Sequence, residues 1–316
     1  MRCYEVGPDQ LATMVTVANL LQEVAANHAQ ELWGAGAWAP ALMTEQDLAF
    51  ALSKMHIRME APLRWCAAPR AAYSFATRPP PDALFFASLC RGTKVRLSTW
   101  FAEAGTLAAR RDWTLTDAVT GARLGSATST WLAFNLITRR MARLPPALRT
   151  YFQTASPATP RWALGEGFAP ERCPELPSDT PCCVSSRTRV RRCDLDMNRH
   201  VNNASYIEWI LDDVPAPVFD SAFMCGLDIE YRSECKAGDE IDARSALALP
   251  DGTCLVPGAA EGPCTEALTF QHALLRPADG AELLRARTLW MPRDQALADG
   301  AKLASAAKAA AAAARH

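Results

Sequence analysis

One short segment concentrates polar, reactive side chains against an apolar background: Arg192-Cys193-Asp194-Leu195-Asp196-Met197-Asn198-Arg199-His200-Val201-Asn202-Asn203. Asp196, Asn198 and His200 alternate at spacing two, so along an extended backbone a carboxylate, an amide and an imidazole point to one side. Converging on one small volume, such groups can move a proton and orient a carbonyl. The segment runs directly into an apolar helical pattern, and the unpaired amides and dipole of a helix start favour the oxyanion of a tetrahedral intermediate. The plainer alternative is that Asp196 and Asn198 cap that helix and His200 is a satisfied surface residue.

A second candidate is Glu234-Cys235, at the end of the strand pattern Leu227 to Arg232. A glutamate beside an apolar cleft can be raised toward the range of a general base. Cys235 becomes a nucleophile only if His200 lies beside it and favours the thiolate. On their own, a lone Glu at a strand end reads as a solvated loop residue and a lone Cys as a small core residue. No Gly-x-Ser-x-Gly elbow, Gly-rich phosphate loop or His-x-x-x-His pair occurs in the chain. We therefore expect neither a serine hydrolase nor a bound nucleotide or catalytic metal, and no cofactor.

The elements that must position these residues come twice. Gly121-Ala122-Arg123-Leu124-Gly125-Ser126-Ala127-Thr128-Ser129-Thr130-Trp131 returns as Gly280-Ala281-Glu282-Leu283-Leu284-Arg285-Ala286-Arg287-Thr288-Leu289-Trp290, with Gly, Ala, Leu, Ala and Trp in register. Each copy follows a turn signal and reads as the second arm of a hairpin, whose first arms are Arg111 to Thr116 and Leu268 to Ala273. Each half opens with one helix, predicted from Val17, Leu20, Leu21, Val24 and Ala25 in the first and Val201, Ala204, Ile207, Trp209, Ile210 and Leu211 in the second. An amphipathic strand follows each helix, Lys54 to Met59 and Leu227 to Tyr231. One helix followed by antiparallel strands buries its apolar face only if the sheet curls around it. The expected fold is α+β, two tandem hot-dog modules. The expected division is 1–144 for the first module, 145–181 for a linker, 182–294 for the second module and 295–316 for an Ala-rich tail. The linker rests on eight prolines between Leu144 and Pro181, and the tail is expected to be helical but frayed, without an amphipathic face.

Composition excludes several classes. No run approaches the length of a membrane helix, and a net charge of -1 gives no global attraction for nucleic acid. An acidic partner must therefore meet a local patch. Eleven cysteines, an odd number with no Cys-x-x-Cys, fit a reducing compartment and buried, inert thiols. No signal peptide or transit segment precedes the first strand pattern, so the protein stays where it is made or this chain lacks its targeting extension.

At Asp194 to Asn203, followed by Tyr206-Ile207 and Trp209-Ile210-Leu211, the sequence resembles the plant-type acyl-acyl carrier protein thioesterases. Glu230-Tyr231-Arg232-Ser233-Glu234-Cys235 is similar to that family's second active-site segment. In the first half, Tyr4-Glu5-Val6-Gly7, Leu21-Gln22-Glu23, Asn27-His28, Arg110-Arg111-Asp112-Trp113 and Leu136-Ile137-Thr138-Arg139-Arg140 resemble its N-terminal module. The resemblance implies a plastid-stromal enzyme that ends fatty-acid elongation by hydrolysing acyl-acyl carrier protein. The N-terminal module would hold the acyl chain, with Asp196, Asn198, His200, Glu234 and Cys235 at the catalytic positions of the other.

The implied chemistry is attack of water on the thioester. Glu234 or the Asp196–His200 pair takes the proton, Asn198 orients, and helix amides near Asn202 stabilise the oxyanion. Cys235 is left open as nucleophile or neighbour. The alternatives are a hot-dog dehydratase and a non-catalytic acyl-carrier-binding protein. The implied partner is acyl carrier protein, with a homodimer left open. Its acidic surface would meet Arg139, Arg140 and Arg143 after the first module and Arg187, Arg189, Arg191 and Arg192 ahead of the catalytic segment. These arginines read equally as ordinary solvated charges. The sequence departs from the family between Trp65 and Gly92, where 26 residues intervene. We read 66–91 as a translated intron rather than a surface loop, and expect it to be dispensable.

Overall fold

The computed structural model of the protein describes residues 3–37, 39–64, 93–166, 168, 172–176, 184–197, 199–249, 253–255 and 262–313. The stretch 66–91 lies outside the described residues. In the first half, helix α1 (Met14–Trp33) is followed by α2 (Ala41–Glu45) and strands β1 (Leu48–Met59), β2 (Val95–Ala104), β3 (Ala108–Asp117), β4 (Arg123–Asn135) and β5 (Arg140–Met141). Thr13 caps α1 by accepting the Thr16 amide on its hydroxyl at 3.1 Å. Gly34 ends the helix at φ 99°, a conformation that costs a residue with Cβ far more.

Helix α3 (Pro146–Ala155) follows, then β6 (Val184–Arg189), α4 (Asn203–Leu211), α5 (Ala216–Ser221), β7 (Ala222–Tyr231), β8 (Glu240–Ala248), β9 (Leu268–Arg276), β10 (Ala281–Pro292) and α6 (Arg293–Ala313). The strands form one antiparallel sheet in the order β2-β3-β4-β1-β7-β10-β9-β8-β6, with β5 paired to β4. The two hot-dog modules therefore share a continuous sheet whose seam is β1 against β7, with Lys54 to Arg58 opposite Glu230 to Gly226.

The repeat in the sequence is a repeat in register. Ala127 of β4 lies between Ile57 of β1 and Trp113 of β3. Ala286 of β10 lies between Ile229 of β7 and His272 of β9. Ile57, Trp113 and Ala127 are thus the counterparts of Ile229, His272 and Ala286. On the helix face, α1 (Val17, Ala18, Leu21) and α4 (Tyr206, Ile207, Ile210) share one apolar core with Ile57, Leu115, Leu227 and Ile229. His272 is buried on that face, its ring nitrogens 2.6 Å from Ser245 Oγ and 2.8 Å from Thr288 Oγ1, and burial pushes it down to about 3.

The opposite face at the seam is charged. Asp228 is buried between His56 Nδ1 at 2.8 Å, Arg58 at 2.7 Å and Arg287 at 3.0 Å. Burial alone would raise its carboxyl, but the His56 and Arg58 contacts outweigh that and hold it at about 2. Part of the Pro-rich stretch lies across this face. The Ala163 amide donates to Asp112 Oδ2 at 2.7 Å, and the Phe168 ring stands edge-on to His56. The stretch also contains a helix, since α3 buries Leu148 and Phe152. Proline at the first helical position needs no donor there, so Pro146 starts a helix instead of breaking one.

The Ala-rich tail differs from expectation too. Helix α6 buries Ala296 completely, packs Leu297 and Leu303 on the core, and brings Gly300 against Ala61. Small residues form a docking face by letting backbones approach, a face that hydrophobic periodicity does not register.

Candidate active site

The segment from Leu195 to Val201 is a closed turn, not the extended run that spacing suggested. Leu195 bridges Val201, the Asp196 amide donates to His200 O at 2.7 Å, and the Arg199 amide donates to Asp196 O at 3.0 Å. Arg199 sits at φ 64° to make the reversal. Asp196 and His200 meet because the turn closes: the Asp196 carboxylate accepts the His200 amide at 3.0 Å. Asn198 lies outside the described residues.

Asp196 does not cap helix α4. Asn202 caps it, its side chain accepting the Ala204 amide at 3.1 Å and its carbonyl the Ser205 amide at 2.9 Å. Of the helix amides expected near Asn202 to receive an oxyanion, the cap itself occupies those of Ala204 and Ser205. Below the turn, Asp194 is buried, and burial alone would raise its carboxyl. The Arg191 side-chain and backbone hydrogen bonds outweigh burial and hold it below the usual carboxylate range.

Glu234 follows the end of β7 and reaches the turn. Its Oε1 lies 3.4 Å from His200 Nε2, with the imidazole 62% and the carboxylate 44% exposed. The pair is open to a large substrate. The other carboxylate oxygen, Oε2, lies 2.9 Å from an Arg139 guanidinium nitrogen. Cys235 is not part of this group. It is 2% exposed, its Sγ lies 3.1 Å from Tyr206 Oη, and burial pushes the thiol up, away from the thiolate a nucleophile needs.

The expected basic patch is partly engaged within the chain. Arg139 holds Glu234, Arg191 holds Asp194 at 2.8 Å, and Arg189 donates to Gly238 O at 3.1 Å. Arg140, Arg143, Arg187 and Arg192 are exposed. Sequence reasoning missed the Arg139–Glu234 contact because 95 residues separate the partners. It missed Tyr206 as the neighbour of Cys235 because 29 residues separate the two. Among the described residues no cluster of His, Cys, Asp and Glu is placed to hold a metal, and no helix is long and apolar enough to cross a membrane.

Two hot-dog modules on one sheet, with an open His–Glu pair at a helix start in the second, define the class of double hot-dog thioesterases. The family model described as "Acyl-ACP thioesterase C-terminal domain" matches residues 181–292. The chain is 31% identical over 300 residues to the chloroplastic oleoyl-acyl carrier protein thioesterase 1 of Arabidopsis thaliana, covering 92% of this chain and 74% of that one. It is 31% identical to the chloroplastic palmitoyl-acyl carrier protein thioesterase of Gossypium hirsutum, covering 93% of this chain and 62% of that one. The solved 12:0-ACP thioesterase from Umbellularia californica superposes with a TM-score of 0.72 at 26% identity, over 92% of this chain and 91% of that one. An acyl-ACP thioesterase from Bacteroides thetaiotaomicron, at 19% identity and a TM-score of 0.64, shares the fold. The chain belongs to the acyl-acyl carrier protein thioesterase family.

Proposed function

We propose that the protein hydrolyses the thioester of fatty acyl-acyl carrier protein to free fatty acid and carrier thiol, with catalysis in the second module. The observation that carries the site assignment is the exposed contact between His200 and Glu234 inside the family-matched segment. Water beside this pair loses a proton to it as the oxygen attacks the thioester carbon. The tetrahedral intermediate collapses with breakage of the C–S bond, and the proton ends on the departing sulfur. Thiolate is a good leaving group, so this last transfer is not demanding. Asp196 keeps the His200 backbone in place through the amide it accepts, and by resemblance Asn198 orients the imidazole or the carbonyl. Cys235 takes no part.

The first module holds the acyl chain, and the boundaries near residues 144 and 182 separate binding from catalysis. The carrier docks through exposed arginines, Arg140, Arg143 and Arg192. The chloroplastic relatives support action in the plastid stroma. Incubation with acyl-acyl carrier proteins of several chain lengths should release free acid and thiol in equal amounts. Glu234→Gln and His200→Asn should slow that release by about 10²- to 10⁴-fold while leaving the fold intact. Tight carrier binding with no acid released would identify a binding protein instead, and conversion of added 3-hydroxyacyl-acyl carrier protein to an enoyl product and water would identify a dehydratase.

A further inference from the structure

Hydrolysis by His200 and Glu234 asks nothing of the first module beyond holding the chain, yet one oxygen of Glu234 is occupied by a first-module side chain. Arg139 follows β4, crosses the seam and places its guanidinium 2.9 Å from Glu234 Oε2, while Oε1 of the same carboxylate faces His200 at 3.4 Å. We propose that Arg139 is a positioning residue for the catalytic carboxylate, so that the site is complete only with a residue from each module. The inference rests on the assignment of Glu234 and His200 made above.

Arg139 is held in place independently of Glu234. The Asn135 side chain accepts the Ile137 and Thr138 amides at 3.1 and 2.7 Å, and Asn135 O accepts the Arg139 amide at 2.9 Å. Strand β5 pairs back onto Phe134 and Asn135, and the guanidinium carbon lies 5.4 Å from the centre of the Phe134 ring. Arg139 itself adopts φ 54°, a conformation more readily taken by glycine or asparagine. An ion pair this exposed adds little to stability. Its effect is on geometry: a half-exposed glutamate after a strand end samples several rotamers, and a fixed guanidinium on one oxygen selects those that present the other to His200. The corresponding strand of the second module, β10, continues directly into α6 and forms no such turn. The Arg139 turn is a feature of the first module alone, and it serves the second.

The test is a kinetic comparison of Arg139→Gln, Arg139→Lys and Arg139→Ala on acyl-acyl carrier protein and on acyl-CoA, with melting temperatures measured in parallel. Arg139→Gln should lower kcat by about ten- to a hundredfold, the scale of a misplaced catalytic group, by the same factor on both substrates and with little change in KM. Arg139→Lys should recover most of that loss, and guanidinium ion added to Arg139→Ala should restore part of it. The melting temperature should barely move. An increase in KM confined to the carrier substrate, with kcat unchanged, would make Arg139 a docking residue and overturn the proposal. Wild-type kcat in Arg139→Gln would overturn it too. Glu234→Gln separates the two failures. If Glu234→Gln is inactive and Arg139→Gln fully active, only the positioning role falls. If Glu234→Gln keeps wild-type kcat, the catalytic assignment falls and the positioning role with it.

Discussion

The turn that carries Asp196 and His200 has a twin in the first module. Val6 bridges Ala12 as Leu195 bridges Val201, and the Gly7 amide donates to Leu11 O at 2.9 Å as the Asp196 amide does to His200 O. Gln10, at φ 63°, matches Arg199 at 64°. Along this match Gly7 stands for Asp196 and Leu11 for His200, while the strand register puts Pro62 at the position of Glu234 and Leu63 at that of Cys235. The two turns close by the same bridge and hydrogen bond, and Gly7, Leu11, Pro62 and Leu63 stand where the proposed catalytic side chains and Cys235 do. What covers the two turns differs as well. Helix α6 lies over the first, with Gly300 against Ala61 and Arg293 3.4 Å from Asp9, so Leu11 is 6% exposed. At the second, the Arg139 turn reaches Glu234 and His200 stays exposed. One turn has become packing and the other carries the proposed site.

The largest expected effect comes from crossing the two. His200→Asn should lower kcat by about 10²- to 10⁴-fold with the urea midpoint almost unchanged. Leu11→Ala should do the reverse, costing roughly 2–5 kcal/mol of stability while folded protein keeps its kcat. Activity and stability would have to be measured on both variants, and an active His200→Asn would end the distinction between the turns. Next, ending the chain at Pro292 removes the cover from the first turn. Losing Ala296, Leu297 and Leu303 and uncovering the apolar surface they pack on should cost about 3 kcal/mol or more and create binding sites for a hydrophobic dye. Gly300→Val is the single-residue version. A Cβ there would meet Ala61 Cβ at 3.0 Å, so overpacking of about 1–3 kcal/mol is expected, with kcat intact. A truncated chain as stable as the full one would show that α6 merely rests on the surface.

A smaller, pH-dependent difference separates His272 from its counterpart Trp113. Burial holds the folded-state His272 near 3, well below the ordinary 6.5 of an unfolded histidine. Between those values the unfolded chain binds the extra proton, so stability is present above about pH 6.5 and is lost as pH falls toward 3, at up to about 1.4 kcal/mol per unit. His272→Gln should start less stable at pH 7 but lose less on acidification, as denaturant midpoints at pH 7 and 4.5 would show. Equal losses in both proteins would mean that other groups set the acid limit.

Much of this is legible in the sequence. The paired Gly-x-x-x-x-x-x-x-x-x-Trp strings, from Gly121 to Trp131 and from Gly280 to Trp290, foretold the two hairpins because strand register repeats as sequence does. Asp194 to Asn203 stood out because reactive side chains are rare next to an apolar helix. What was not legible depended on contacts distant in sequence or on small residues. The seam between β1 and β7 joins strands some 170 residues apart and leaves only an ordinary amphipathic pattern in each. The Arg139 contact with Glu234 required knowing that seam. The docking of α6 depends on Ala296 and Gly300, whose lack of side chain is what lets the helix approach. The turn at Asp196 was misjudged as extended because the positive φ of Arg199 has no signature in an arginine.

The smallest expected effect concerns Cys235 and bears most directly on mechanism. Its counterpart Leu63 is a core residue, 1% exposed, and its carbonyl accepts the Ala12 amide at 2.8 Å. By position, then, Cys235 is where this fold places an apolar side chain. Its thiol is 2% exposed and shares a hydrogen bond with Tyr206, and burial raises it further from ionisation. A covalent mechanism would need the thiolate facing the substrate, and removing it would then cost several orders of magnitude in rate. If Glu234 and His200 deliver water instead, Cys235→Ala should keep kcat within about threefold. Its cost should appear in stability, about 1–3 kcal/mol from a small void and a Tyr206 hydroxyl without its partner. The native enzyme should likewise resist iodoacetamide at this position, which peptide mapping after alkylation can read. A folded Cys235→Ala with no detectable turnover, together with an acyl group trapped on Cys235 in the wild type, would transfer the chemistry from the carboxylate to the thiol.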